Sequence, residues 1–319
     1  MRDDLLTVVV KKSELQGHNV LVLELADVAG APLPLAEAGA HIDVHLAHNL
    51  VRQYSLCHDP LDQQTYRLGV LKDPQSRGGS VAAHAALRVG HQIQISPPRN
   101  LFALHAEAQH TVLIGGGIGV TPMIAMAYSL WHQGKSFELH YCGKDQTQCA
   151  FIDELAQAPF KNHVQGHFKA QGGDHRQALR QMFLTPQKEA HVYVCGPVGL
   201  MQWVEAEALA AGYEPERIHQ EYFQVDADLS GSAFEIEAKR SGLIIQVGAD
   251  ETIVAALAKH HIEVEVSCEQ GICGTCLCDV LEGEPEHRDV YLTDEEKQDN
   301  DQIMLCCSRA KSARLVLDI

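Results

Sequence analysis

The sequence predicts a multidomain fold: an antiparallel β-rich domain of barrel or sandwich type, a doubly wound α/β domain, and a small cysteine-bearing domain. Three observations predict it. Period-two hydrophobic alternation dominates residues 1–104, strands alternate with helices over 105–225, and a polar stretch of small residues at 226–232 precedes closely spaced cysteines in 233–319. A length of 319 residues is also more than one domain of about 150 needs.

In the first segment short alternating runs recur at Leu6–Val10, Val20–Leu25, Ile42–Leu46, Tyr54–Leu56, Tyr66–Leu71 and Gln92–Ile95, separated by Gly, Pro, Asp and Asn. Val81–Leu87 reads as a short helix. The second segment reads as strand Thr111–Ile114, helix Thr121–Gln133, strand Phe137–Tyr141, a helix starting over Phe151–Leu155, strand Val192–Cys195 and helix Gly199–Ala210. This alternation implies a parallel sheet. The third segment reads as strands Phe234–Ala238 and Leu243–Val247, then helix Ile253–His260.

Composition narrows the class. With 45% hydrophobic and 21% charged residues the chain can bury ordinary cores. A net charge of −17 argues against nucleic acid or an anionic membrane as the main partner. The uncharged stretch Ala108–Gly134 contains Gly115, Gly116, Gly117, Gly119 and Pro122, so it reads as strand, glycine loop and helix rather than a membrane span. Ten cysteines are too sparse for a disulfide scaffold and MRDDLL is not a secretory signal, so a cytoplasmic, reduced protein is expected.

Cys268, Cys273 and Cys276 form a C-x4-C-x2-C run, with Cys306 after 29 intervening residues. Four thiolates at this spacing suit a plant-type 2Fe–2S cluster, with Gly271 and Gly274 letting backbone N–H groups approach the sulfides. The alternative is a structural zinc site, which usually pairs two C-x2-C knuckles. Here the distal pair is Cys306-Cys307, and neighbours on an extended chain point to opposite sides. Cys278 and Cys307 are then spare thiols.

The run from Val112 to Met123, with Gly116 and Gly117 in its turn, is a strand, a glycine loop and a helix start, which can expose N–H groups to a phosphate. It departs from G-x-G-x-x-G, so a plain tight turn is the alternative. Tyr193-Val194-Cys195-Gly196-Pro197 ends another strand, where ligands bind in open α/β sheets. Alone, Cys195 reads as a buried small residue; with the glycine loop it reads as part of a nicotinamide site. In the β-rich segment, Arg52, Tyr54 and Ser55 can hold a flavin ring, and Arg77, Gly78, Gly79 and Ser80 its phosphate. An exposed arginine and an ordinary turn are the alternatives.

Taken together and in this order, VRQYSLC, DPQSRGGS, GGGIGVTPM, YVCGP, EYF, SCEQGICGTCL, HRDVYLT and CCSRAKSARLVLDI resemble the class IA reductases of Rieske oxygenase systems. Within that phthalate dioxygenase reductase family, the vanillate O-demethylase reductase group is nearest. The resemblance covers essentially the whole chain. It implies an FMN-binding ferredoxin-reductase-like barrel, an NAD-binding domain and a β-grasp ferredoxin domain. It also implies flavin contacts from Arg52, Tyr54, Ser55 and Gly69-Val70-Leu71, and a phosphate site at Arg77, Gly78, Gly79 and Ser80. Thr121 would sit at the flavin–nicotinamide junction, Phe223 would cover the flavin, and Gly116, Gly117, Cys195, Gly196 and Pro197 would line the nicotinamide site. Cys306 rather than Cys307 would complete the cluster ligands. Catalysis would centre on Ser55, Thr121, Cys195 and Phe223.

Relatives often read Tyr-Cys-Ala-Arg-Ser where this chain has Tyr141-Cys142-Gly143-Lys144-Asp145. Asp145 would repel a 2′-phosphate and can accept a ribose hydroxyl, favouring NADH, while Lys144 pulls the other way. The expected function is NADH-dependent transfer of electrons through FMN and a 2Fe–2S cluster to a Rieske-type oxygenase component, by a monomeric reductase. A cytochrome P450 acceptor is the alternative within the class, and a zinc-stabilised flavin-binding regulatory module the alternative outside it. Residues 232–319 carry 8 basic and 18 acidic groups, −10 of the −17. Nine acids fall within 282–301, which reads as either a solvated face or a steering surface for a basic partner.

Overall fold

Period-two alternation builds the first sheet. The structure, a computed structural model, describes residues 5–46, 50–73, 78–184, 189–224, 228 and 230–319. Its first strands are β1 (Leu6–Gln16), β2 (Val20–Asp27), β3 (His41–Leu46), β4 (Leu50–Ser55) and β5 (Tyr66–Leu71), followed by helix α1 (Gly79–Ala86) and β6 (Gln92–Ile95). They form one antiparallel sheet in the order β4-β3-β6-β1-β2-β5. A bridge between Leu56 and Leu68 joins the two edges, giving the barrel alternative. Inward-facing Val8, Val10, Leu23, Leu25, Ile42, Val44, Leu68 and Ile95 fill it. β1 continues past the predicted Val10 to Gln16. A bulge between Val10 and Lys12 breaks the register there, and the outer half is mostly exposed, so no alternation marked it.

The next segment gives β7 (His110–Gly116), α2 (Val120–His132), β8 (Ser136–Gly143), α3 (Ile152–Gln157), β9 (Val164–Phe168), α4 (His175–Phe183), β10 (Ala190–Cys195), α5 (Val198–Ala210) and β11 (Ile218–Glu221). The sheet is parallel in the order β11-β10-β7-β8-β9. The chain runs outward from β7 to β9 and then returns to β10 on the other side, so β7 and β10 flank the switch point. Both are buried along their full length, which is why they read as apolar runs. The stretch Ala108–Gly134 becomes β7, the glycine turn and α2. No described helix is long and apolar enough to cross a membrane.

Three elements here were not predicted. β9 has a glycine and a glutamine among five residues, α4 buries only Leu179 and Phe183, and β11 is half-buried throughout. Tertiary pairing and the Asp174 cap, which accepts from Arg176 N and Gln177 N, supply what local pattern lacks. Barrel and parallel sheet belong to one unit, Met1–Tyr222. Gln16 Oε1 accepts from Phe151 N at 2.9 Å, His18 N donates to Gln148 O at 3.2 Å, and Arg67 pairs with Glu154.

The second unit is Phe223–Ile319. It contains β12 (Phe234–Ala238), β13 (Leu243–Val247), α6 (Ile253–Lys259), β14 (Leu277–Glu282), β15 (Pro285–Glu286), α7 (Asp294–Asp299), β16 (Gln302–Met304), β17 (Arg309–Ala310) and β18 (Arg314–Leu317). The mixed sheet runs β13-β12-β18-β14-β16, with β12 and β18 parallel, and α6 covers it through Ile253, Ala256 and Leu257. The polar stretch predicted as a linker is held onto this unit where it is described. Arg288 Nη1 donates to the carbonyls of Asp228 and Ser230, and Arg309 Nη2 donates to Ser232 O at 3.0 Å.

Candidate functional site

Two sites emerge, one in each unit. In the first, the glycine turn after β7 lies against the turn after β10, because Gly115 pairs with Cys195 in the sheet. The glycines serve close approach. A β-carbon on Gly116 would stand 2.5 Å from Leu200 Cδ2 and 2.9 Å from Pro197 Cδ, and one on Gly196 would stand 2.9 Å from Gly116 Cα. A β-carbon on Gly117 would meet nothing within 4 Å, so its backbone faces open space. Thr121 is buried at the start of α2, where its Oγ1 donates to Ile118 O at 3.0 Å.

The barrel reaches this point through β4 and β5. A β-carbon on Gly69 would stand 3.0 Å from Thr121 Cγ2 and 2.9 Å from Phe151 Cζ, so only glycine lets β5 lie so close to α2. Ser55, the last residue of β4, donates its hydroxyl to Glu221 Oε2 at 3.2 Å. Glu221 ends β11 and pairs in register with Cys195 at the end of β10. Burial pushes the Glu221 carboxyl up to about 8, with the Ser55 hydroxyl opposing, so it is protonated at neutral pH. Burial, reinforced by Glu221, also holds the Cys195 thiol far above its usual range, so it is not a thiolate. Three strand ends therefore bring a hydroxyl, a neutral carboxyl and a thiol together. Sequence reading assigned Ser55 and Cys195 but gave Glu221 no role beyond its place in Glu221-Tyr222-Phe223. An acid closing a strand was the available signal.

Several other expected flavin residues lie at the start of α1 or on the strands β4 and β5 that it packs against. Gly78 caps α1 in the left-handed region at φ 84, with open space beyond its Cα. The N–H groups of a first helical turn have no intrahelical acceptor, which suits a phosphate. Arg52 Nε lies 2.6 Å from where a Gly79 β-carbon would be, so the guanidinium arm lies across the start of α1. Ser80 Oγ accepts from Asp73 N at 3.1 Å, tying Asp73 to the first turn of α1. Tyr54 is half-buried against the barrel core, Val70 is buried and Leu71 exposed. Arg77 lies outside the described residues. Phe223 is the first residue of the second unit and is 37% exposed.

Asp145 follows β8, at the carboxyl edge of the sheet. Its Oδ1 accepts from Thr147 N and Thr147 Oγ1, both at 2.9 Å, and from Gln171 Nε2 at 3.0 Å. These bonds hold its carboxyl below the usual range. The same side chain thus ties the β8 turn to the loop after β9, a structural role the sequence did not reveal.

In the second unit, the loop between α6 and β14 carries Cys268, Cys273 and Cys276, all buried. Pairing of Leu277 with Met304 and the bond from Leu305 N to Cys276 O bring Cys306 against that loop. Backbone donors face the sulfurs. Gln270 N and Ile272 N each lie 3.4 Å from Cys268 Sγ, and Gly271 N lies 3.3 Å from Cys306 Sγ. Gly271 is left-handed at φ +70, and a β-carbon there would stand 2.5 Å from Cys307 Sγ. Buried cysteine sulfurs ringed by amide donors fit an anionic 2Fe–2S cluster. The premise that set Cys307 opposite Cys306 fails, however. Both lie in a turn after β16, closed by Ser308 N donating to Met304 O at 3.0 Å, and both are buried beside Gly271.

The acidic run divides into two groups. Asp289 is buried, with Oδ2 accepting from Leu292 N and Oδ1 from Ser308 Oγ. Glu286 pairs with Arg288, Glu284 with Lys311, and Glu296 completes the capping box of α7 with Thr293. Asp294, Glu295 and Asp299 remain as exposed charge on α7.

Comparison with known proteins agrees with this architecture. Residues 113–206 match the oxidoreductase NAD-binding domain family, and residues 236–311 match the 2Fe-2S iron-sulfur cluster binding domain family. The chain is 46% identical over 318 residues to a vanillate O-demethylase oxidoreductase of Pseudomonas sp. (strain HR199 / DSM 7063), covering 99% of this chain and 100% of that protein. It is similar to the solved structure of phthalate dioxygenase reductase, described as modular for electron transfer from pyridine nucleotides to [2Fe-2S], with a TM-score of 0.77 and 36% identity over 100% and 99% of the two chains. An intact type IV self-sufficient cytochrome P450 monooxygenase matches with a TM-score of 0.84 and 37% identity, over 99% of this chain and 41% of that one.

Proposed function

This chain belongs to the oxygenase-reductase family of vanillate O-demethylase oxidoreductase and phthalate dioxygenase reductase, and on that premise we propose a Rieske-type oxygenase component as its electron acceptor. It is an NADH-dependent oxidoreductase whose electrons pass through a flavin and a 2Fe–2S cluster to an oxygenase component. The finer reading is a monomeric, cytoplasmic protein with FMN as its flavin. When bound, the flavin supplies the exchange between a two-electron hydride donor and single electrons, and the cluster supplies a one-electron carrier.

The protein's own residues supply position and protonation. The turn at Gly116 and Gly117 admits the nicotinamide nucleotide, with Gly196 and Pro197 forming the facing wall. Arg52, Tyr54 and the Gly69–Leu71 strand hold the flavin ring, while Gly78, Gly79, Ser80 and Arg77 hold its phosphate. Ser55, hydrogen-bonded to Glu221 and beside the neutral Cys195 thiol, would offer its hydroxyl to the bound flavin. Thr121 would lie at the junction of the flavin and the nicotinamide. Asp145 favours NADH. Cys268, Cys273, Cys276 and Cys306 ligate the two irons.

The observation that carries this reading is the ring of backbone N–H groups around Cys268 and Cys306, which serves an anionic sulfur cluster. The test is composition followed by delivery. Two irons, two sulfides and one released flavin of FMN mass per chain are expected, with NADH reducing a Rieske oxygenase component through them. A chain with zinc and no sulfide would overturn the reading. The P450 reading rests on the self-sufficient P450 match and predicts reduction of a haem acceptor at a comparable or higher rate. Light scattering at the mass of one chain checks the monomer.

A further inference from the structure

The Asp145 carboxylate is oriented in part from outside its own loop. Three donors converge on one of its oxygens, Oδ1: Thr147 N and Thr147 Oγ1 at 2.9 Å and Gln171 Nε2 at 3.0 Å. Among the described residues no donor reaches Oδ2. The Thr147 bonds are local, because Asp145 caps the short turn Gln146–Gln148 that follows it. The Gln171 bond comes from 26 residues further on. Gln171 is exposed, so packing does not account for its place. Its Oε1 accepts from Gln146 N at 3.2 Å, so the two ends of one amide grip consecutive residues of the β8 turn.

The backbone beneath Gln171 is fixed as well. Ala170 N donates to Lys144 O at 2.8 Å, which ties the loop after β9 to the β8 turn. Gln171 ends the short turn Lys169–Gln171, closed by Gly172 in the left-handed region at φ 82. Beyond it, Gly173 N donates to Phe168 O at 2.9 Å. Gly116 of β7 pairs with Cys142 of β8, so Asp145 lies on the same sheet edge as the glycine turn. An acid at this edge can accept the ribose hydroxyls of a dinucleotide. The two tied loops also carry the exposed Lys144 and Lys169, whose charge favours a 2′-phosphate. The preference therefore hangs on where the free oxygen of Asp145 points. We infer that Gln171 is a specificity-positioning residue: its amide fixes Asp145 so that Oδ2 faces the ribose hydroxyls of NADH and repels the 2′-phosphate of NADPH. The inference rests on Asp145 favouring NADH, as proposed.

The test uses the full chain with its cofactors and reads binding apart from turnover. Calorimetric titration with NAD+ and with NADP+ gives two dissociation constants each for wild type, Q171M, D145A and the double variant. Methionine keeps the length of the side chain and removes both hydrogen bonds. Q171M should weaken NAD+ by about three- to tenfold, the worth of one net hydrogen bond, while NADP+ binds as well as before or better. In steady state the KM for NADH should rise with kcat unchanged. In the D145A background Q171M should change neither constant, because the group it positions is gone. Equal weakening of both nucleotides, no change in Q171M, or a Q171M effect that persists without Asp145 overturns the inference. An unchanged NAD+ to NADP+ ratio in D145A itself instead defeats the NADH assignment of Asp145. T147V removes the hydroxyl bond to the same oxygen and should shift the ratio the same way, which keeps the comparison available if Q171M folds poorly.

Discussion

The two sites are assembled in opposite ways. The cysteine site takes three of its four thiols from nine consecutive residues, Cys268–Cys276, and its amide donors from the same loop. The site at the switch point takes Ser55 and Glu221 from positions 166 residues apart and depends on strand register to bring Cys195 beside them. A site written in one loop is protected by that loop's backbone, and its failures should be local. A site written across two sheets is protected by the fit between them, and its failures should appear as changes in protonation and stability.

The largest expected effect separates the two sites outright. C273A or C306A should abolish the cluster chromophore and delivery to the oxygenase component, while NADH-driven reduction of ferricyanide, a small one-electron acceptor, continues. Absorbance and ferricyanide assays read both, and joint loss would break the comparison. G271A comes next. It forces a side chain onto φ +70 and sets a β-carbon 2.8 Å from Asp289 Cβ as well as against Cys307 Sγ. A loss of about 2–4 kcal/mol from the second unit alone is expected in chemical denaturation.

At the switch point the measurement is pH. The folded carboxyl of Glu221 titrates near 8, against an ordinary value of 4.5. Between those values the native state holds a proton that the unfolded chain has released. Its contribution is full below about pH 4.5 and is lost as pH rises through 8. E221Q should flatten this slope, worth a few kcal/mol, and a denaturation series from pH 5 to 9 measures it. S55A removes the hydroxyl that opposes the upward shift, so the Glu221 titration should move higher at a stability cost of about 1 kcal/mol. The smallest effect belongs to D145A. Losing three hydrogen bonds at an exposed turn should leave stability nearly unchanged and narrow the NADH preference over NADPH, read as a ratio of kcat/KM.

What could be read from the residues follows the same division. The cluster spacing, the glycine turn and the main strands were legible because each is local and each motif has a physical reason at its own spacing. Glu221 was not, because nothing within a few residues shows that β11 will end beside Ser55. The half-buried β11 and the weakly patterned β9 were missed for a related reason: neighbours across the sheet stabilise them. Cys307 was judged by a rule for extended chain, whereas β16 stops at Met304 and a turn follows. The acidic run read as a single surface because sequence cannot show that Asp289 is buried while Asp294 is exposed.

The seam inside the first unit has a consequence for recombination. Gln16, His18, Ser55 and Arg67 of the barrel reach Phe151, Gln148, Glu221 and Glu154 of the α/β half, and two of these contacts use backbone atoms of a loop that no side-chain redesign can move. A chimera that exchanged either half near residue 105 would inherit mismatched partners at all four points. One cut between Tyr222 and Phe223 would sever none of them, and a relative's electron-exporting module should therefore graft there with both donors and acceptors intact.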